Sequence, residues 1–178
     1  MRKLKNEELD RLSVDQFKES PKNPVCLILD NVRSLNNVGA AFRTGDAFRV
    51  EKIFLCGITG TPPHRDIQKT ALGATESVSW EYYPDILTLL PHLKTEGWLL
   101  IAIEQADQSI SLLDFSVDPK AKYAFIFGNE VFGVQESVVK TCQNCLEIPQ
   151  FGTKHSLNIS VSIGVVLWDF ISKYHRHP

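Results

Sequence analysis

Leu157-Asn158-Ile159-Ser160-Val161-Ser162-Ile163 admits two readings, and the choice between them decides what the C-terminal end of the chain is. Polar and apolar residues alternate perfectly, which is the period of a half-buried strand. Leu157, Val161, Val165 and Trp168 also fall at spacings of four, four and three, on one face of a helix. The apolar pattern continues through Phe170 and Ile171, too far for a strand, so a helix is predicted over 156–173. At its start Ser156 reads as an N-cap and Asn158 as a first-turn residue.

Working outward, strands are predicted at Val25–Leu29, Lys52–Cys56, Val78–Tyr82, Trp98–Ile103, Tyr123–Phe127 and Cys145–Ile148. Several are continuous apolar runs, as expected of strands covered on both faces. Helices are predicted between them at about 37–48, 85–96 and 135–142. Strand–helix alternation of this kind means an α/β domain with a mostly parallel sheet. The first 23 residues read as a helical extension, and the domain proper as 24–178. In the extension Ser13-Val14-Asp15-Gln16 fits a capping box, Leu12 and Phe17 fit a hydrophobic staple, and Pro21 and Pro24 end the segment.

With 43% apolar and 22% charged residues among 178, the chain has the makings of one ordinary core. Nineteen basic against 21 acidic side chains exclude a globally basic surface, so nucleic acid would have to meet a local patch. No apolar run is long enough to span a bilayer, and the charged N-terminus lacks the apolar middle of a signal peptide. A cytoplasmic protein is expected. Cys26 and Cys56 sit in apolar runs and read as core residues. Cys142-Gln143-Asn144-Cys145 has no second pair or nearby His, so packing is preferred over zinc or redox chemistry and no metal is expected. The terminal His175-Arg176-His177 reads as frayed rather than coordinating.

The usual nucleotide cradles, G-x-G-x-x-G and G-x-x-x-x-G-K-[ST], are missing, as are H-E-x-x-H and G-x-S-x-G. Three other segments are unusual. Asp30 to Thr44 runs off the first strand into a helix whose small, apolar stretch is interrupted by Arg43, a guanidinium that calls for an anionic or polar partner. Asn36 and Asn37 there serve equally well as helix caps. In Phe127-Gly128-Asn129-Glu130 a glycine follows an apolar strand and lets a ligand approach the backbone, although Glu130 suits an exposed turn too. In Ile148-Pro149 through Ser160 a strand end, a glycine-containing loop and a polar-studded helix start follow one another.

Taken in order, Asn37-Val38-Gly39-Ala40-Ala41-Phe42-Arg43, Phe127-Gly128-Asn129-Glu130, and Ile148-Pro149 with Ser156-Leu157-Asn158-Ile159-Ser160-Val161 resemble the three motifs of the SpoU class of SPOUT RNA methyltransferases. Lys69-Thr70-Ala71-Leu72-Gly73-Ala74 resembles a further family segment, and the likeness covers roughly Val25 to Ser172. It implies a SPOUT fold, with a mostly parallel sheet and a deep C-terminal trefoil knot. It also implies a homodimer, bent S-adenosyl-L-methionine in the knot loops, and methyl transfer to an RNA ribose 2′-oxygen. Gly128, Ile148 and Leu157 match cofactor-holding positions, with Ile103 or Glu104 lining the same pocket. Arg43 matches the arginine at the reacting ribose. Asn37 accompanies it, and Glu130, Ser156 and Asn158 match the polar groups around that centre. Asn36 is the fallback for Asn37, because a spacing of seven places it above Arg43 on the helix.

A guanidinium is an awkward base, so Arg43 is expected to position the ribose and neighbouring phosphate and to favour the developing alkoxide. Arg33, Arg65, Lys69 and Lys154 are the RNA-contact candidates, together with the basic chain ends. The catalytic pattern starts by Val25, so no separate RNA-binding domain precedes it, and tRNA is expected as substrate ahead of rRNA. Two rivals differ in kind: a base-modifying relative, and a non-enzymatic RNA-binding module on the same fold.

Overall fold

Seven strands carry the architecture: β1 (Asn23–Asp30), β2 (Val50–Cys56), β3 (Trp80–Tyr83), β4 (Trp98–Ile103), β5 (Ile110–Ser111), β6 (Lys122–Phe127) and β7 (Asn144–Glu147). The helices are α1 (Val14–Glu19), α2 (Leu35–Ala47), α3 (Arg65–Ala71), α4 (Ala74–Ser77), α5 (Ile86–Thr95), α6 (Glu136–Val139) and α7 (Ile159–Tyr174). In this computed structural model, which describes residues 1–176, the strands form one sheet in the order β3-β2-β1-β6-β4-β7-β5. Every adjacent pair is parallel. His177 of the terminal trio lies outside the described residues.

Successive side chains of a strand point to opposite faces, and here each face has its own core. Val25, Leu27 and Leu29 of β1 join Phe125 and Phe127 of β6 beneath α2 and α7. Cys26 and Ile28 join Ala124, Ile126 and the α5 leucines on the other side. That double coverage is why the central strands are continuous apolar runs. Pro24 lies within β1 rather than ahead of it. The β1–β2 register is irregular between Asn23 and Cys26, the kind of place where a strand tolerates proline.

The C-terminal segment is helical, but its buried stripe is Ile159, Ile163, Val166 and Phe170. The face of Val161, Val165 and Trp168 is exposed. The helix begins at Ile159, with Asn158 as N-cap accepting from the backbone N–H of Ser160 at 2.8 Å, and Ser156 precedes it in the loop. Asn158 thus takes the cap expected of Ser156, and Ser156 lies outside the helix. At α2 the cap is Ser34, so neither Asn36 nor Asn37 serves as one. Ser13 and Gln16 do form the capping box of α1, and Phe17 is buried in the main core while Leu12 is exposed. The predicted helix at 135–142 shrinks to one turn, and α3, α4 and the two-residue β5 have no counterpart in the sequence reading. Among the described residues no helix is long and apolar enough to cross a membrane.

Candidate active site

Parallel strands deliver their carboxyl ends to one rim, where the connecting loops must find partners for their backbone groups. Side chains supply them. The Thr59 hydroxyl, after β2, donates to the Leu29 carbonyl at 3.0 Å and accepts from the Val32 N–H at 2.9 Å. Asn129, after β6, donates through Nδ2 to the Asn31 carbonyl at 2.8 Å. Its Oδ1 accepts from the N–H groups of Val131 and Phe132 at 2.9 and 3.2 Å. Paired backbone bonds between Asn129 and Gly133 close this 129–133 turn. Asn129 was not among the expected site residues, although an asparagine between a glycine and a glutamate at a strand end is turn chemistry.

Glu130 reaches back to the first motif. Its Oε2 accepts from the Arg33 N–H at 2.9 Å. Its Oε1 accepts from the Ser34 N–H at 3.0 Å and from Asn37 Nδ2 at 3.1 Å. Burial pushes this carboxyl upward, but the hydrogen bonds from Arg33, Ser34, its own backbone and Asn37 outweigh it and hold the group below the usual carboxylate range. Glu130 is thus an ionised acceptor that fastens the β6 loop to the start of α2. Glu104, at the end of β4, fastens the far end of the same loop. Its Oε2 accepts from the Val134 N–H at 2.9 Å and its Oε1 from the Gln105 N–H at 2.8 Å.

The pinned 128–134 loop and the 148–157 loop form the walls of a cleft of about 540 Å³. Ile103, Glu104, Gly128, Glu130, Ile148, Ser156 and Leu157 all line it. The missing side chain of Gly128 makes room for the chain itself: a Cβ there would lie 2.2–2.3 Å from backbone atoms of Gly133 and Val134. In the 148–157 wall the only backbone hydrogen bond to a described residue is that of the His155 carbonyl with Gln105 Nε2, at 2.7 Å. Its N–H groups are left to water or a ligand.

Three expected residues lie elsewhere. Asn37 is buried behind Glu130 and touches the cleft only through it. Asn158 caps α7. Arg43 is exposed on α2 and lines a separate groove with Arg49, Ala71, Leu72 and Gly73. Arg43 lies six positions after Asn37, about 9 Å along the helix axis. The Lys69–Ala74 segment gains a role here: a Cβ on Gly39 would collide with the Ile67 carbonyl and the Thr70 hydroxyl, and that hydroxyl donates to the Asn36 carbonyl at 3.0 Å. Arg65 and Lys69 are exposed on the same α3. Arg33 is exposed beside Glu130, and Lys154 on the 148–157 wall.

The two thiols of the C-x-x-C are spent on packing. Cys142 Sγ lies 3.2 Å from the Val138 carbonyl and Cys145 Sγ 3.4 Å from that of Glu104. Burial pushes the Cys142 thiol up to about 12. Both cysteines are free.

An α/β sheet with a loop-walled cleft at its carboxyl rim, lined by the second and third motif segments and tied to the first through Glu130, defines a class, and comparison with known proteins agrees. The profile of the SpoU rRNA Methylase family matches residues 24–168, so the chain belongs to that family. A 23S rRNA (guanosine-2'-O-)-methyltransferase RlmB from Neisseria meningitidis serogroup B is 31% identical over 86% of this chain and 60% of its own. Its counterpart from Vibrio vulnificus is 27% identical over 92% and 65%. This chain therefore spans 60–65% of the length of these curated relatives. Among solved structures, the A. aeolicus TrmH/SpoU tRNA modifying enzyme superposes with a TM-score of 0.81 at 23% identity, covering 92% of this chain and 81% of that one. An AdoMet-bound rRNA methyltransferase from Sinorhizobium meliloti gives 0.77 at 24% identity, over 94% and 61%.

Proposed function

We propose that this protein transfers the methyl group of S-adenosyl-L-methionine to a ribose 2′-hydroxyl of RNA, with ribosomal RNA as the first substrate. The observation that carries this is the meeting of Ile103, Gly128, Ile148, Ser156 and Leu157, remote in sequence, around one cleft in a chain of this family. The cleft fits the cofactor chemically. Ile103, Ile148 and Leu157 offer apolar surface for an adenine, and the free N–H groups of the 148–157 wall can read its edge. Glu104 and Glu130 give carboxylate character near a cationic sulfonium. When bound, the cofactor supplies an electrophilic methyl carbon.

The protein's own residues then do the positioning. Glu130 holds the cleft wall against α2 as an anion, which bars it from donating a proton. Arg43 grips the ribose and its neighbouring phosphate and favours the alkoxide that develops as the hydroxyl gives up its proton to solvent and its oxygen takes the methyl group from the sulfonium. Because Arg43 lies outside the cleft of its own chain, the site is completed by a second copy. The apolar face of Val161, Val165 and Trp168 on α7 supplies the homodimer interface. We further propose that the chain after β7 threads the C-terminal knot. In support, β7 sits between β4 and β5, which are consecutive in sequence, and the 148–157 wall then packs back against Gln105.

The names of the curated relatives support ribosomal RNA over the tRNA that the sequence reading favoured. Such an enzyme works in the cytoplasm. The test is transfer of labelled methyl groups onto total RNA from a strain lacking the gene, followed by nuclease mapping. Label in a 2′-O-methylated nucleotide of rRNA is expected. Label on a base would favour the base-modifying alternative, and RNA binding without transfer the non-enzymatic module.

A further inference from the structure

We propose that Phe132 is the stacking platform for a nucleobase of the RNA substrate at the mouth of the cleft, an inference that rests on the RNA-methylating function proposed above. Phe132 lines the cleft and yet is 85% exposed. Leaving so large an apolar ring in water costs free energy, and here no flexible loop excuses it. The Phe132 N–H donates to Asn129 Oδ1, while Asn129, Glu130 and Val134 on either side are each fastened to the loop after β1 or to Glu104. The turn therefore holds the Cα from which the ring projects in a fixed place.

What occupies that place is decided by its surroundings. Arg33, whose backbone N–H binds the carboxylate of Glu130, two residues before Phe132 in the same turn, is exposed. The loop that forms the opposite wall also carries Lys154 and a second ring, Phe151, both exposed outside the cleft lining, which there consists of Ile148, Gln150 and His155 to Leu157. Flat aromatic faces interleaved with cations are the chemistry that holds single-stranded nucleic acid, since every base has a π-face and every nucleotide a phosphate. A second copy of the chain is better matched to the broad stripe on α7. One ring, with the exposed Val131 next to it on a five-residue turn, offers a face the size of one unpaired base, whose ribose would then lie over the cleft.

The test compares Phe132→Ala, Phe132→Leu and Phe132→Tyr with the wild-type chain, using undermodified total RNA in methyl-transfer and filter-binding assays. The Ala variant is expected to raise the apparent KM for RNA about 5- to 150-fold, the range of one lost base–aromatic stack, with kcat within about threefold. Tyr is expected to restore binding and Leu not. S-adenosyl-L-methionine affinity by calorimetry is expected to stay within about twofold. An unchanged RNA affinity overturns the proposal, as does full rescue by Leu, a cofactor affinity that falls as far as RNA affinity, or a changed oligomer mass. A wild-type chain that binds RNA but transfers no methyl group overturns the proposed reaction alone; the binding assay still decides the role of Phe132.

Discussion

Asn37 and Glu130, 93 residues apart in sequence, meet through a 3.1 Å hydrogen bond that joins the first motif to the second. The same carboxylate takes the Arg33 and Ser34 N–H groups, and together with Asn129 it closes the junction between the β1 and β6 loops. This makes Glu130 a structural anion first, and its charge state a component of stability.

Glu130→Gln is expected to destabilise the fold by about 1 kcal/mol at pH 7, the low end for bonds to a charged group because the carboxylate is partly solvated. The dependence on pH gives the sharper check. The carboxyl is held below its ordinary value in the folded state, so its contribution is complete above the unfolded value of about 4.3 and is lost as pH falls through the folded one. Urea unfolding of both chains between pH 7 and pH 3 measures this. Their stabilities are expected to converge toward acid, and a constant gap would mean that the ionised form carries no special weight.

Gly133 has φ +67°, and a Cβ there would lie 2.1 Å from Glu104 Oε2. Gly133→Ala is therefore expected to cost about 2–3 kcal/mol, combining left-handed strain with displacement of the carboxylate that receives the Val134 N–H. Cofactor affinity should fall with it. The paired variant Gly133→Ala/Glu104→Ala isolates the collision. Its cost is expected to be less than the sum of the two single changes, and simple additivity would show that the glycine and the carboxylate act independently.

The parallel sheet was legible because β1, β4 and β6 are apolar runs long enough to be buried twice over, and that property survives in composition alone. Helix ends were less so. Ser34, Asn36 and Asn37 are all good caps by residue type, and only the folded chain, in which Asn37 is turned to Glu130 and Ser34 accepts from the Asn37 N–H, distinguishes them. The stripe Leu157, Val161, Val165 and Trp168 is a true helical period on the wrong side of the helix, since Ile159 and Ile163 fit the core as well. The cleft residues were visible only as motif fragments, and nothing local in Glu130 foretells that its partners lie at 33, 34 and 37. Asn129 and Phe132 were passed over because a turn-forming amide and an exposed ring are each ordinary until the turn is seen pinned beside a cleft.

That outward stripe is the basis of a prediction about assembly. Val161 is 50% exposed and Trp168 64%, on one face of α7 with Val165. Val161→Glu is expected to leave the fold intact, because the side chain does not enter the core, while placing a charge in the proposed interface. Light scattering should move from a dimer toward the chain mass of about 20 kDa. A variant that stays dimeric would remove α7 from the interface.

Arg43 tests whether the site is shared between copies. Its guanidinium is exposed on α2, away from the cleft formed by its own chain. Arg43→Ala is thus expected to keep normal stability and cofactor affinity, yet to lose roughly 100-fold or more in kcat, the scale of one removed charge-stabilising group. Arg43→Lys should recover only part of this if the planar fork matters as well as the charge. Gly133→Ala supplies the complement, damaging the cleft while leaving Arg43 in place. Co-refolding the two inactive chains should regenerate mixed dimers, half of whose mixed sites pair an intact cleft with an intact arginine. Activity returning in the mixture would place Arg43 across the interface. A mixture as inactive as its parents, with mixed dimers verified by mass, would mean that each chain must use its own arginine and that α2 moves to bring it there.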